Sequence, residues 1–232
     1  MDRQQSGDES DMARIKQNMS QPKNIRKLGK QTREVSKKTK KTILKAALTV
    51  FAREGFSKAK LRDIADLAGT THGLIRHHFG TKDDLWKAMV DYGLQLQEDN
   101  LRKIATLTKS EDPVELFREF ITSYISTMAK HPELSSILLH DNSKNSPHLN
   151  YTIEREKRLY AFIEPFFKNA QACGYFKGFD HLSFNVYVRA LVETPIATMD
   201  LSNQQLKHDI RSEKGIAMHT ERVLKFLFHK ET

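Results

Sequence analysis

Two short stretches between residues 60 and 82 bring cationic and hydrogen-bonding side chains together at helical spacing. A helix that turns Ile75 and Phe79 inward, at 100° per residue, turns Gly73 and His77 directly outward and places Leu74 and Arg76 on the flanks. This outward set is Gly73, Leu74, Arg76 and His77. Arginine can donate two hydrogen bonds to one guanine or clamp a phosphate, and histidine can do either more weakly. Glycine lets the backbone approach a groove wall closely. This chemistry favours nucleic-acid binding.

Candidates for contacts to a DNA backbone flank this helix. Lys60 and Arg62 begin the preceding helical stretch and Lys82 begins the following one, so their charges could neutralise phosphates on either side. The complete predicted set is Lys60, Arg62, Thr70, Thr71, His72, Gly73, Leu74, Arg76, His77 and Lys82. Two short helices joined at a glycine are also compatible with an ordinary helical hairpin.

Side chains that could support catalysis or bind a metal form no recognisable pattern. His72, His77 and His78 are not three or four residues apart, so they would point in different directions on a helix. His140 and the adjacent aspartate lack further ligands at suitable spacing, and nothing beside Cys173 would clearly lower its thiol pKa. There is no HExxH, P-loop or GxGxxG motif. We therefore predict no enzyme, no metal site and no cofactor, and a structural role for the single cysteine.

The elements around the cationic stretches are predicted to be helical. Apolar residues recur at spacings of three and four along most of the chain, and no convincing strand pattern is present. Gly55 and Gly69 are placed to end the first two helices, and Thr71 can cap the third. Thr81 and Asp84 have the spacing of a capping box that begins a longer fourth helix.

The second half of the chain is predicted to hold five further helices. Asp112 and Pro113 have the types expected at the cap and first position of a helix, and Pro132 begins another. The remaining three helices are predicted at 149–173, with a kink at Pro165, and at 181–199 and 215–229, separated by a polar run. The predicted fold is all-α, with about nine helices arranged as a three-helix head and a larger helical body.

Two segments within residues 39–93 follow a known pattern in register: ILKAALTVFAREGF and LRDIADLAGTTHGLIRHHFGTKDDLW. In this region the chain resembles the TetR family of bacterial transcriptional regulators. The resemblance implies a helix-turn-helix head, an all-α ligand-binding and dimerisation body, and a repressor that usually leaves its operator when a small molecule binds. Lys60 and Arg76 depart from the threonine and tyrosine common in the family, so a cation replaces a hydroxyl group at each position.

The formal net charge of +9 is concentrated at the N-terminal end. Residues 1–41 hold 12 basic and 5 acidic side chains, residues 42–92 hold 8 and 6, and residues 93–232 hold 18 of each. Residues 1–35 have too few apolar side chains to build a core, so we predict a flexible basic arm that either contacts DNA or is a solvated tail. Met12 and Met19 also allow a start further downstream.

Domain boundaries and location follow from these patterns. We predict an arm at 1–35, a DNA-binding domain at 36–97 with its motif at 60–79, and a ligand-binding and dimerisation domain at 98–232. No apolar stretch approaches the roughly 18 residues of a membrane-spanning helix, and no signal peptide is recognisable. The protein is therefore predicted to be cytoplasmic.

A set of mostly aromatic residues in the body could line a pocket for a small-molecule effector: Tyr124, Met128, Phe162, Phe166, Phe184 and Tyr187. Ordinary core packing is the alternative for each of them. Glu164, Arg189 and Glu193 are charges in apolar helical stretches and could orient a polar ligand group. Arg189 and Glu193 are four residues apart and could instead pair with each other.

The predicted helices at about 181–199 and 215–229 are apolar enough to form a homodimer interface. A two-fold dimer would present two recognition helices to a near-palindromic double-stranded DNA operator. Packing within one chain is the alternative.

For the whole protein we predict a sequence-specific transcriptional regulator that a small molecule releases from its operator. The alternative is a sequence-independent architectural DNA-binding protein.

Overall fold

The computed structural model describes residues 23–107, 112–140 and 148–229, and within these ranges every regular element is an α-helix. The helices are α1 Lys23–Lys58, α2 Leu61–Leu67, α3 His72–Phe79, α4 Lys82–Leu107, α5 Pro113–Lys130, α6 Pro132–His140, α7 Leu149–Ala172, α8 His181–Ala197, α9 Met199–Leu206 and α10 Glu213–Leu227. The all-α prediction is confirmed. The polar run that was predicted as a connection contains the additional helix α9.

At Thr42 the chain divides into two units, Met1–Thr42 and Ile43–Thr232. In the first unit, α1 begins at Lys23, earlier than the helical pattern predicted, so part of the predicted arm is helical. Residues 1–22 of that arm lie outside the described residues. Most side chains from residue 33 to residue 42 are exposed, which agrees with the low apolar content of this segment.

The second unit begins with the buried face of α1. Ile43, Ala47, Val50 and Phe51 are all buried, at the predicted helical spacing. Gly55 adopts φ 72° and ψ 163° and interrupts the helical path at the predicted position, before the helix resumes to Lys58. The chain turns there without the strain that a side chain would introduce.

Local hydrogen bonds set the starts of α3 and α4. The Thr71 Oγ1 accepts a hydrogen bond of 3.2 Å from the Leu74 amide and caps α3. Thr81 and Asp84 form the predicted capping box, because each amide donates to the other's side chain at 3.1 Å. Gly69, between α2 and α3, has the positive φ of 62° that favours glycine.

We call helices α2 and α3, with the part of α1 from Ile43 onward, the head, and helices α5 to α10 the body. Helix α4 runs from the head into the body. Its first turns bury Leu85 and Trp86, and further along it packs against α5 and α7. Gly93 lies in this second part, and a Cβ at this position would overlap the Leu134 side chain of α6. The glycine therefore permits a close approach of α4 to α6.

The body is built around α5, which packs against α4, α6, α7, α8 and α10. Asp112 caps α5 by accepting a 2.9 Å hydrogen bond from the Val114 amide, and Pro113 follows at the predicted position. An aromatic cluster fills the centre of the body: Phe117, Phe167, Phe176, Phe184 and Phe228.

Pro165 lies within α7 as predicted, and Cys173 follows that helix in an exposed position rather than in the core.

Candidate nucleic-acid interface and internal cavity

Helix α3 has one buried and one exposed face. Ile75 is 1% exposed and packs inward, and Phe79 is half-buried. The predicted outward face is exposed at Gly73, Leu74, Arg76 and His77, and His72 at the start of the helix is exposed as well. The inward pair therefore positions the remaining residues of α3 for contact with a partner outside the chain.

Gly73 is not required by packing within the protein. A Cβ at this position would meet only the Thr71 Oγ1, at 4.0 Å. Gly73 also has no positive φ that would favour glycine over other residues. The missing side chain leaves the helix backbone accessible from outside, as a close approach to a groove wall or phosphate would need.

A groove beside α3 gathers the predicted phosphate contacts. Its walls include Lys60, Arg62, Thr70, Thr71, His72 and Lys82. Lys60 and Arg62 are exposed, Thr70 is half-buried, and the Thr71 hydroxyl is engaged in capping α3. Asp66 also lines the groove, so its charge is mixed rather than uniformly positive.

Lys82 has a structural role that the sequence analysis did not foresee. Its Nζ donates to the backbone carbonyls of Phe56 at 2.8 Å, Ala59 at 3.0 Å and Ser57 at 3.4 Å. It also lies 4.5 Å from the centre of the Phe56 ring. An ammonium group has three donors, and these three carbonyls compete for them with the predicted phosphate contact by Lys82.

Two further findings concern the described residues as a whole. Within them, no group of three or more His, Cys, Asp or Glu side chains is placed to hold a metal ion. Asp141, the neighbour of His140, lies outside the described ranges. No helix within those ranges is both long and apolar enough to cross a bilayer.

A cavity lies in the body between α4, α5, α7 and α8. About 60 Å³ of it is open to the centres of water-sized molecules. Much of its wall is apolar, with Leu94, Leu101, Phe117, Phe120, Ile121 and Phe184 among the contributors. Its polar side chains include Tyr124, Glu156, Tyr160, Asn185, Arg189 and Glu193.

Of the six residues predicted to line a pocket, the structure brings Tyr124 and Phe184 to the cavity. Met128 is fully buried in the core, and Tyr187 is 58% exposed. Val188, one turn after Phe184, takes the cavity-facing position on α8, which leaves Tyr187 on the outer side.

The other two predicted pocket residues pack elsewhere. The Phe162 ring lies 5.1 Å from the Arg102 guanidinium, and the Phe166 ring packs edge-on against Phe120 at 4.8 Å. Glu164 is also outside the cavity, because it forms an ion pair of 2.7 Å with Lys168 on the surface of α7.

Five polar side chains form a connected network in the cavity wall. Arg189 pairs with Glu193 at 3.4 Å, as the sequence predicted, and with Glu156 at 2.9 Å. The Tyr124 hydroxyl donates to the Glu193 Oε1, and the Tyr160 hydroxyl donates to the Glu156 Oε2 at 3.3 Å. The sequence analysis missed Glu156 and Tyr160. The available signal was a glutamate within the apolar face of α7.

Burial controls the ionisation of this network. Burial raises the pKa of both Glu156 and Glu193 above the usual range of a glutamate. Burial also raises the pKa of Tyr160 to about 12 and holds the pKa of Tyr124 well above the usual value of a tyrosine. For Arg189, burial favours the neutral form, but the two carboxylates outweigh it and the pKa of the guanidinium is raised.

A set of contacts ties the first part of α4 to the start of α7. His148 is 2% exposed, stacks on the Trp86 ring at 3.8 Å and contacts the Asp83 Oδ1 at 2.8 Å through Nε2. Two helical turns further, the Asp91 Oδ1 accepts hydrogen bonds from Tyr151 at 2.9 Å and from Arg155 at 2.6 Å. We call these contacts the α4–α7 junction.

The fold and the exposed face of α3 define the class of protein: a helix-turn-helix head on an all-α body. Residues 43–89 match the family model for bacterial regulatory proteins of the tetR family. The Escherichia coli K12 protein named "Probable acrEF/envCD operon repressor" is 32% identical over 137 residues, which cover 56% of this chain and 60% of that protein. The "HTH-type transcriptional regulator TtgR" of Pseudomonas putida is 30% identical over 114 residues, covering 48% and 54% respectively.

These matches therefore span between half and two thirds of the relatives' lengths. The similarity of fold extends further. The transcriptional regulator FadR from Bacillus subtilis, solved in complex with stearoyl-CoA, superposes with a TM-score of 0.62 at 18% identity, covering 82% of this chain and 98% of that chain. Similarity to the tetR family of bacterial regulatory proteins therefore lies in residues 43–89 at the level of sequence, and in most of the chain at the level of fold.

Proposed function

We propose that the protein is a sequence-specific transcriptional regulator, acting as a repressor that leaves its operator when a small molecule occupies the body cavity. The observation that carries this proposal is the outward face of α3, on which Arg76 and His77 are exposed while Ile75 anchors the helix. The family match of the head supports the same function. An operator-binding repressor acts in the cytoplasm of a bacterium, where the DNA is.

In this proposal the head divides its contacts between bases and phosphates. Arg76 and His77 read base edges in the major groove, and Gly73 allows α3 to enter closely. Lys60 and Arg62 contact phosphates and fix the orientation of the head. Thr70, Thr71, His72 and Leu74 complete the contacting surface.

A homodimer would supply the second recognition helix. The outer face of α8 exposes Leu182, Val186 and Tyr187, and α10 exposes Phe226, which is 71% accessible. Val223 and Phe228 belong to the chain's own core and are unavailable for the interface. A two-fold pairing through α8 and α10 would place two α3 helices on half-sites about 34–36 Å apart, or at a multiple of that spacing.

Helix α4 is the proposed connection between ligand and DNA. It contributes Leu94 and Leu101 to the cavity wall, while its first turns pack in the head and in the α4–α7 junction. A ligand that binds better to a body in which α4 is displaced would favour the DNA-incompetent state. The extent to which the ligand lowers operator affinity is then set by how much more tightly it binds the displaced state than the DNA-binding state.

The test begins with selection of genomic fragments by the purified full-length protein. The affinity of the selected site is then compared with that of random DNA at several salt concentrations. We expect the selected site to bind at least about a thousandfold more tightly than random DNA. Equal affinities with a steep salt dependence would instead identify an architectural DNA-binding protein.

A further inference from the structure

We infer that the body cavity takes an amphipathic cation, with an apolar body and a protonated amine that is held by Glu193 and Glu156. The inference rests on the proposed role of the body in binding an effector and adds the chemical class of that effector. Three independent features of the cavity wall carry it: its charge, its free hydrogen-bonding atoms and its apolar surface.

The first feature is an excess of negative charge. Glu156 and Glu193 both line the cavity, and Arg189 is the one Lys, Arg or His side chain among the described residues of the wall. Arg189 is shared by the two carboxylates, at 2.9 Å and 3.4 Å. One guanidinium therefore faces two acids. Burial opposes ionisation of the second acid, and a ligand cation would favour the form in which both are ionised.

The second feature is an unsatisfied acceptor. The Oε2 of Glu193 is buried and has no hydrogen-bond partner in the described part of the chain, although the side chain is only 1% exposed. A buried carboxylate oxygen without a donor is costly, and an ammonium group has three donors to offer. Because Glu193 also lines the cavity, this oxygen is the acceptor that an N–H group of a ligand would satisfy.

The hydroxyl groups nearby strengthen this preference for a donor. Tyr124 donates its hydroxyl proton to Glu193, and Tyr160 donates to Glu156. With those protons committed, the phenol oxygens can only accept, and the Tyr160 oxygen already accepts a bond of 3.4 Å from Arg189. The aromatic faces of the tyrosines would attract a cation as well.

The third feature is the apolar part of the wall. Leu101, Phe117 and Phe184 are buried and line the same cavity as the acidic network. They can remove an alkyl or aromatic group of the ligand from water. A carboxylate ligand fits this wall less well, because it would compete with Glu156 and Glu193 for Arg189 and leave a buried acid unpaired.

The experiment compares three eight-carbon probes with the same apolar body, by calorimetry on the full-length protein at neutral pH without DNA. We expect octylammonium to bind at least about tenfold more tightly than octanol, because it adds charge-assisted hydrogen bonds, and octanoate to bind more weakly than octanol. Tighter binding of octanoate, equal binding of octylammonium and octanol, or binding of none of the three would overturn the inference.

A pair of matched variants locates the binding group. Glu193→Gln keeps the shape and removes the charge, so octylammonium affinity should fall at least about tenfold while octanol affinity is unchanged. Glu164→Gln removes a glutamate on the outer surface of α7, where it pairs with Lys168, and should change neither affinity. Octylammonium binding that survives Glu193→Gln would contradict the assignment.

The comparison of the three probes with the unmodified protein stands even if a variant folds poorly. It is also independent of the proposed DNA function. A failure of the ligand class would leave operator preference intact, whereas a lack of operator preference would refute the regulator and leave the calorimetric result unchanged.

Discussion

Arg76 and His77 are exposed on the outer face of α3, and we propose that they distinguish one DNA sequence from another. If Arg76 forms a bidentate contact with guanine, Arg76→Ala should weaken operator binding by about 1–3 kcal/mol and change binding to random DNA less. His77→Ala should act in the same direction with a smaller effect. Fluorescence anisotropy with labelled operator and random duplexes measures the difference.

Lys60→Ala is the matched control, since Lys60 is predicted to contact phosphate. It should weaken binding to both duplexes alike and reduce the slope of affinity against salt. Equal losses on both duplexes for Arg76→Ala would show that Arg76 also contacts only the backbone.

Gly73 permits a prediction in which stability and function change in opposite directions. The protein has room for a side chain at this position, so Gly73→Ala should leave the free energy of unfolding unchanged or raise it by up to about 1 kcal/mol. The added methyl group would separate α3 from the DNA, and operator affinity should fall. Denaturant unfolding and anisotropy on one preparation give both quantities, and undiminished operator affinity would count against a close approach at Gly73.

Lys82, which is predicted to contact DNA, also bonds to carbonyls at the end of α1. Lys82→Ala leaves carbonyls at the end of α1 without their donor, so we expect a loss of about 1–3 kcal/mol in the free energy of unfolding. The exposed Lys60 should tolerate the same substitution with little loss of stability. Denaturant titration of both variants tests the contrast, and equal stabilities would mean that the carbonyls are hydrated at no cost.

At the scale of the helices, the contact between α4 and α6 depends on the absence of one side chain. Gly93→Ala places a methyl group where the Leu134 side chain now lies, so the two helices must separate or Leu134 must change conformation. We expect the free energy of unfolding to fall by about 1–3 kcal/mol. The double variant Gly93→Ala, Leu134→Ala should lose less than the sum of the two single changes, and simple additivity would argue against the contact.

The helix boundaries that the sequence predicted well are those set by neighbouring residues. Thr71, and Thr81 with Asp84, form the predicted caps because the groups involved lie within three residues of each other. Helix α9 was missed because its residues are mostly polar and lack an apolar periodicity, so only its place in the fold identifies it.

The cavity was harder to predict because it is formed by four helices that are distant in sequence. The i, i+4 pairing of Arg189 and Glu193 is a local property of α8, and it was foreseen. The approach of Glu156 from α7 depends on how the helices pack, which one sequence does not show. The same limitation explains why Met128 and Tyr187 were assigned to a pocket that neither of them lines.

At the scale of the whole molecule, the basic N-terminal segment is predicted to add affinity without adding specificity. Residues 13–41 contain 11 basic side chains and one acidic side chain. Deletion of residues 1–35 should therefore weaken binding to operator and random DNA alike and flatten the dependence on salt. Binding isotherms at several salt concentrations measure this.

A full-length variant in which the basic residues of this segment are replaced by glutamine separates charge from chain length. It should reproduce the effect of the deletion. A salt dependence equal to that of the unmodified protein in both variants would show that the segment takes no part in DNA binding.

The α4–α7 junction also provides an optical probe of the proposed regulation. Trp86 is the single tryptophan of the chain, and it is fully buried against His148 in this junction. All tryptophan emission from the protein therefore originates at the helix that would carry the signal from cavity to head. A displacement of α4 by an effector changes the stacking of the indole ring, so regulation can be followed by intrinsic fluorescence without any label.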